Sequence, residues 1–155
     1  MPFTPYHFGP AFLAKGLLKQ RFCIVTFALS QFIIDLESFY FLVQGVWPVH
    51  RFLHSYLGAT VAILITLALA KPIQRILNSR SSWVATLTAS IFGGYSHVVL
   101  DSIMHTDIKP FYPLSDSNSF LRLMDLPMLH NFCIYSGIIG LGIMSWSIIR
   151  VMGRK

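Results

Sequence analysis

The composition of this chain is that of a membrane protein. Of its 155 residues, 54% are hydrophobic and 12% are charged, and the mean hydropathy is +0.61. Soluble globular domains carry about 25% charged residues, so an ordinary soluble domain is excluded. The net charge of +6 would suit a nucleic-acid-binding protein, but the cations lie in short clusters beside apolar segments rather than in a basic stripe with aromatic residues. We expect one integral membrane domain over residues 1–155 and no nucleic-acid partner.

Apolar segments of membrane-spanning length define the expected helices. A helix needs about 20 residues to cross the hydrocarbon core. The first candidate, at residues 7–20, is only a half-length helix that we expect to pack against the bundle or dip into it. Longer apolar segments follow at residues 22–46, 53–71, 83–104 and 131–152. The sequence therefore predicts an all-α, polytopic membrane bundle of about four transmembrane helices plus the N-terminal half-helix.

A long connection, residues 106–129, precedes the last predicted span. Pro110, Pro113 and Pro127 interrupt it, and connections of this length in compact domains are usually functional or disordered. Two interpretations stay open. The segment is either a lid over an outward-facing site or a surface loop in the headgroup region.

The distribution of charge between the connections predicts the orientation. One end of the expected bundle holds nine cations and no acid: Lys15, Lys19, Arg21, Lys71, Arg75, Arg80, Arg150, Arg154 and Lys155. The other end holds the three remaining cations and all six acidic residues. Because cytoplasmic segments carry the excess of Lys and Arg, we expect the basic N-terminal segment and the C-terminus in the cytoplasm. The acidic residues would then face outward from a bacterial inner (cytoplasmic) membrane.

Four ionisable side chains on three separate helices reach one height in the predicted bundle. Counted from the basic end at about 1.5 Å per residue, Asp35, His54, His97 and Asp101 all stand roughly 21 to 27 Å high. Ionisable groups inside a membrane are costly and usually face a partner or a cavity. We therefore interpret these four residues as one cluster in the outer part of the membrane.

The spacing of the histidines is suited to metal binding. His97, Asp101 and His105 follow one another at i, i+4 and i+8, and His50 and His54 repeat the i, i+4 spacing, which places side chains on one helix face. Imidazole nitrogen and carboxylate oxygen are ligands for zinc, and also for iron or manganese. The absence of thiolates argues against a closed structural zinc site. The pattern predicts an open site for a divalent metal.

Other ionisable residues are open to more than one interpretation. His7 precedes Arg21 by 14 residues and Asp35 follows it by 14, so a helical hairpin turning near Arg21 would bring His7 to the level of Asp35. Glu37 is expected either to orient a ligand or to pair with Arg51. The remaining candidates also have plainer readings as interfacial histidines or ordinary loop acids: His50, His105, His130, Asp107, Asp116 and Asp125.

Several short motifs resemble one known family. They are PYHFGP with His7, FIIDLES with Asp35, HRFLHSYLG with His54, and GGYSHVVLDSIMH with His97 and Asp101, followed by PFYP. Together they resemble the YdjM-like inner-membrane proteins, which are described as metal-dependent hydrolases and are distantly similar to zinc-dependent phospholipase C and P1-type nucleases. The likeness implies that these five residues bind one or two divalent ions, most typically zinc, with Asp101 able to bridge them.

The likeness also implies an activity, which is hydrolysis of a phosphoester in a lipid or envelope intermediate at the outer face. Asp101, His105 and Glu37 would then act in catalysis, and the partner would be a membrane lipid or another amphiphilic phosphoester. Two alternatives remain open. One is a transporter in which the same residues relay protons or metal ions, although the inner half of the spans shows no polar path; the other is a non-catalytic assembly or regulatory protein with a structural metal.

Overall fold

The computed structural model describes residues 5–153, which form an all-helical bundle. Its five α-helices are α1 (Phe8–Leu18), α2 (Ile24–Val43), α3 (Tyr56–Ile76), α4 (Trp83–Met104) and α5 (Leu126–Met152). The last four are long and apolar enough to cross a membrane. The predicted all-α fold with four spans and a short N-terminal helix is therefore confirmed. Arg154 and Lys155, two of the cations used for the orientation, lie outside the described residues.

Local capping moves several helix ends away from their expected positions. Helix α5 begins at Leu126 rather than at residue 131, because the Asp125 carboxylate accepts a hydrogen bond from the Met128 amide at 2.8 Å. Helix α3 begins after Ser55, whose hydroxyl accepts from the Gly58 amide at 3.0 Å, and it continues through Pro72 to Ile76. The segment expected at 53–71 is therefore displaced relative to α3, and the one expected at 131–152 begins too late but ends with α5. The segment 22–46 is longer than α2 at both ends, and 83–104 has the bounds of α4.

The helices alternate in direction, which gives the bundle two chemically different ends. We call the end with the α1–α2 turn and the α3–α4 connection the basic end, and the end with residues 44–55 and 105–125 the acidic end. Helices α2, α3 and α4 pack together, while α1 packs chiefly against α5. A short 3-10 helix at Lys19–Arg21 reverses the chain between α1 and α2. His7, just before α1, consequently lies at the acidic end.

Glycines allow α1 and α5 to approach closely. A Cβ atom at Gly9 would collide with the Cys133 carbonyl, and one at Gly140 would collide with the backbone at Phe12 and Leu13. Small residues at helix crossings commonly serve this purpose in membranes. The close contact fixes the position of α1 and therefore of the 3-10 turn Pro5–His7 that precedes it.

The bundle is apolar outside and partly polar inside. Large apolar side chains on all four spanning helices face outward, as Leu64 (61% exposed) and Ile138 (60% exposed) illustrate. Buried positions include the hydroxyls of Thr66, Thr86 and Ser90. This distribution suits a protein surrounded by lipid, with its polar side chains along the bundle axis.

Candidate metal centre

Four buried side chains converge near the acidic end. Asp35 comes from α2, His54 from the short 3-10 turn ahead of α3, and His97 and Asp101 from successive turns of α4. None of the four is more than 4% exposed. Each offers one ligand atom, and these atoms all lie within 4.8 Å of one another. The structure thus brings together the four residues that the height comparison selected, and together they could hold a metal ion.

The distances between the ligand atoms suit a single small ion. His97 Nε2 lies 3.3 Å from Asp35 Oδ1, 3.2 Å from Asp101 Oδ2 and 3.3 Å from His54 Nε2. His54 Nε2 lies 3.6 Å from Asp101 Oδ2 and 3.8 Å from Asp35 Oδ1. Zinc bonds of about 2.0–2.1 Å in a tetrahedron separate neighbouring ligand atoms by about 3.3–3.4 Å. The donors therefore already have nearly the spacing of a coordination shell.

Gln31 fixes the orientation of two histidines. Its Oε1 atom accepts hydrogen bonds from His97 Nδ1 at 2.8 Å and from His7 Nδ1 at 3.2 Å. Its Nε2 atom donates to the Gly93 carbonyl at 2.9 Å, which settles which end of the amide faces the rings. Because a carbonyl oxygen only accepts, both Nδ1 atoms carry a proton. Both Nε2 atoms are then left for the carboxylates or for a metal.

Those Nε2 atoms point at negatively charged oxygens. His97 Nε2 lies 3.2 Å from Asp101 Oδ2, and His7 Nε2 lies 3.0 Å from Asp101 Oδ1. A neutral imidazole would present a lone pair to a carboxylate, so each contact requires a cation, either a metal ion or an imidazolium proton. His7 Nε2, Asp35 Oδ1 and Asp101 Oδ1 are buried without an aligned hydrogen bond. A bound cation would satisfy buried polar atoms of this kind.

The charge of the group also suits a divalent cation. The two carboxylates supply two negative charges in a buried setting, where unpaired charges are costly. Burial, reinforced by the neighbouring His97, lowers the pKa of His54 well below its ordinary value. Its imidazole is therefore neutral, which is the form that binds metal. The Ser38 hydroxyl contacts the ring, at 3.4 Å from His54 Nδ1 and 3.5 Å from His54 Nε2.

A second group of possible ligands adjoins the first and shares Asp101. It consists of His50, Asp101 and His105, whose ligand atoms also lie within 4.8 Å of one another. His50 Nδ1 donates to Asp107 Oδ1 at 2.9 Å, so His50 Nε2 is unprotonated in the neutral ring. His105 Nε2 is buried without a hydrogen-bond partner. A histidine oriented by a carboxylate is a common arrangement at metal sites.

Asp107 has a structural role that its sequence position does not reveal. Its Oδ2 atom accepts from the amides of Val49 and His50 at 3.2 Å each. Burial raises the pKa of Asp107, but its hydrogen bonds with His50 outweigh burial and hold that pKa below its ordinary value. Asp107 therefore joins the connection before α3 to the connection after α4, a role beyond that of an ordinary loop acid. His50 is only 5% exposed.

The other predicted residues lie around these two groups. Glu37 Oε2 accepts from the Leu53 amide at 2.7 Å, so it supports the turn that carries His54 without joining either ligand group. His130 stacks on Tyr6, with ring centroids 4.0 Å apart, and is likewise outside both groups. Asp116 pairs with Lys109 at the surface. Asp125 caps α5.

The connection over residues 105–125 covers the acidic end of α4. The Asn118 side chain donates to the Ser102 carbonyl at 2.9 Å, and the Arg122 amide donates to the Ile103 carbonyl at 3.1 Å. At its other side, the Pro110 carbonyl accepts from the Tyr56 amide at 2.8 Å. The segment is thus tied to both α3 and α4 above the ligand groups.

Comparison with known proteins identifies the family. The model of the YdjM inner membrane protein family matches residues 13–152, which is nearly the whole chain and contains every ligand candidate except His7. No curated protein matches the chain, and no solved structure matches it either. The family is one of inner membrane proteins, in agreement with the four apolar helices, which makes the chain a multi-pass membrane protein. The chain belongs to the YdjM inner membrane protein family.

Proposed function

We propose that this protein is a membrane-embedded, metal-dependent hydrolase that acts on a phosphoester of a lipid or another amphiphile at the acidic end. The observation that carries the proposal is the buried group of Asp35, His54, His97 and Asp101, in which imidazole nitrogens and carboxylate oxygens lie at the separations of a coordination shell. A structural role alone would not need the second group that adjoins the first at Asp101.

The position of each residue determines the role that we assign to it in metal binding and hydrolysis. A bound zinc or similar divalent ion lowers the pKa of its water and polarises a phosphoryl oxygen. Asp35, His54, His97 and Asp101 would hold the principal ion, and Asp101 would extend to a second one beside His50 and His105. Gln31 and Asp107 would keep three of the imidazoles in the binding orientation.

His105 is the better candidate for moving a proton. It is less buried than the other ligand candidates, and its Nε2 atom has no hydrogen-bond partner. Glu37 is the weaker candidate, because the Leu53 amide already occupies its carboxylate. We infer that, when the principal ion alone is bound, His105 accepts a proton from water or delivers one to the leaving group, and that Glu37 supports His54 through the backbone.

A lateral groove supports an amphiphilic substrate. An apolar groove of about 400 Å³ runs between α1 and α5 and is lined by residues that include Tyr6, Phe12 and Gly137. A smaller void adjoins it, shares Tyr6 and Cys133 with it, and reaches His7. His7 in turn contacts Asp101 at 3.0 Å. An acyl chain in the groove would leave its headgroup directed toward the ligand groups.

Elemental analysis tests the proposal most directly. We expect stoichiometric transition metal in detergent-purified wild type prepared without chelators, and its loss in His97→Ala and Asp101→Asn. Ser90→Ala serves as a control, because its hydroxyl is buried in α4 but bonds only within the helix. Phosphoester turnover should disappear on chelation and return with zinc, manganese or iron. Wild type without metal would overturn the site, whereas bound metal without turnover on phosphoester lipids would leave a structural site and overturn the hydrolase.

A further inference from the structure

A separate cavity of about 270 Å³ lies at the basic end, opposite the candidate metal centre. It opens between the end of α3 and the start of α4 and is lined by Lys71, Gln74, Arg75 and residues 78–81. We propose that this cavity binds the phosphate of an anionic phospholipid in the leaflet that meets the basic end. The proposal does not depend on the function of the metal centre.

The charge of the lining selects for an anion. Lys71, Arg75 and Arg80 line the cavity, and all six acidic residues of the chain lie outside the segment 71–82 that encloses it. The structure gives neither Arg75 nor Arg80 a carboxylate partner within the part of the chain that it describes, and both side chains are exposed. Two guanidinium groups are therefore free to form paired hydrogen bonds with phosphate oxygens.

A buried polar network holds the third cation at the wall of the cavity. Gln74 is 4% exposed, and its Nε2 atom lies 2.8 Å from the Thr26 hydroxyl and 3.0 Å from the Thr86 hydroxyl. Its Oε1 atom accepts from Lys71 Nζ at 3.4 Å, while Lys71 also donates to the Ser81 carbonyl at 2.6 Å. An ammonium group has three protons, so one remains for a ligand in the cavity.

The last carbonyl groups of α3 are hydrogen-bonded to backbone amides, so they do not present free negative dipoles to an anion in the cavity. Asn78 adopts a left-handed conformation with φ of 49°, and the Ser79 amide then reaches back to the Gln74 carbonyl at 2.8 Å. The Asn78 amide donates to the Arg75 carbonyl at 3.2 Å and completes the same closure. Left-handed closure of this type satisfies the free carbonyls at a helix C-terminus. The side-chain cations remain as the dominant groups at the rim.

The surroundings of the cavity favour a lipid over a soluble anion. Trp83 is 61% exposed beside it and receives Lys71 Nζ at 4.8 Å from its ring centroid. Ile76 and Leu77 are 81% and 59% exposed on the adjoining surface. Tryptophan and basic side chains of this kind mark the headgroup level of membranes, where basic pockets between helices bind anionic lipids. A phosphate in the cavity would leave its acyl chains against this apolar surface.

The test compares lipid-dependent stabilisation of the full-length protein in detergent. Phosphatidylglycerol should raise the Tm more than phosphatidylcholine, and Arg75→Gln/Arg80→Gln should weaken the apparent affinity by roughly 30-fold. Arg21→Gln/Arg150→Gln is the matched control, because it removes two cations from the same end outside the cavity and should respond like wild type. Native mass spectrometry of the same variants should show the parallel loss of a retained anionic lipid.

Three outcomes would overturn the lipid site. The first is an equal response of the cavity variant and wild type, and the second is an equal response of the cavity variant and the control variant. The third is full stabilisation by inorganic phosphate alone, which would assign the cavity to a free anion. None of these results bears on metal content, so failure here is distinguishable from failure of the hydrolase proposal.

Discussion

Gln31 offers the sharpest test of how the metal centre is built, because it is not itself a proposed ligand. Its Oε1 atom holds His97 at 2.8 Å and His7 at 3.2 Å, and its Nε2 atom is anchored to Gly93 at 2.9 Å. Gln31→Leu removes the shared acceptor at little cost in volume. Both rings then lose the bond that directs Nε2 toward the carboxylates.

The expected loss follows from the number of rings that are released. Removing a group that orients a metal-binding histidine typically weakens metal affinity by 10- to 100-fold, which corresponds to about 1.4–2.7 kcal/mol. Since one amide orients two rings here, we expect the loss of metal affinity in Gln31→Leu to lie at the upper end of that range. Gln31→Glu keeps an acceptor for both Nδ1 protons but loses the donor to Gly93, so we expect it to bind metal more tightly than Gln31→Leu.

Competition with a chelator of known affinity measures the effect in detergent-purified protein. Thr66→Val is the matched control, because it removes a buried hydroxyl that bonds only the Ala62 carbonyl of its own helix. Its metal affinity should equal that of wild type. The reasoning would be refuted if Gln31→Leu bound metal within about threefold of wild type, or if Thr66→Val lost as much affinity as Gln31→Leu.

Three further predictions address the second ligand group, the helix packing and the orientation. Asp107→Asn should lower the metal content of a two-ion protein by one equivalent while the first group keeps its ion, and elemental analysis showing no loss would contradict this. Gly140→Leu should destabilise the α1–α5 contact by about 1–3 kcal/mol and lower the Tm, whereas Gly142→Leu, whose added Cβ meets nothing within 4 Å, should not. In intact cells, Ser117→Cys should react with a membrane-impermeant thiol reagent and Asn78→Cys should be protected; the reverse pattern would invert the proposed orientation.

The fold was largely predictable from hydropathy, and the helix ends were not. Four long apolar segments separated by polar connections leave few alternatives to a four-span bundle. The errors in the predicted helix ends occur where a capping residue starts a helix within a segment whose sequence is typical of a loop. Asp125 and Pro127 look like loop residues, yet the Asp125 carboxylate caps the first turn of α5 and Pro127 lies within that turn.

The metal group was predictable because a helix rises by a constant distance per residue, so the height of a side chain in the bundle follows from its position in the sequence. Asp35, His97 and Asp101 occupy regular helices, and His54 lies just before one, so a constant rise locates all four. The contact between His50 and Asp107 was missed because it joins two irregular connections 57 residues apart. The role of Gln31 could have been predicted, since it lies one helical turn before Asp35 and is a polar residue within an apolar span.

The interior between the two ends decides between a hydrolase and a proton or metal relay. A relay needs groups that pass a cation from one partner to the next across the membrane. In the described spans, three buried hydroxyls between the two ends are bonded within their own helices: Ser30 to Phe27, Thr66 to Ala62 and Ser90 to Thr86. Thr26 and Thr86 accept from the Gln74 amide nearer the basic end, and none of these groups is ionisable.

Transport can be tested against that arrangement directly. The segments 24–30, 60–70 and 83–96 contain no acidic, basic or histidine residue, so we expect no zinc or manganese flux in proteoliposomes, with or without a pH gradient. Flux above that of protein-free vesicles, abolished by His97→Ala, would refute this reasoning and make the metal centre part of a transport path. Flux that His97→Ala left unchanged would instead be a leak that does not involve the centre. Without such a path, we expect a cation held at Asp101 to enter from the acidic end or from the side of the groove between α1 and α5, as the proposed lipid hydrolase requires.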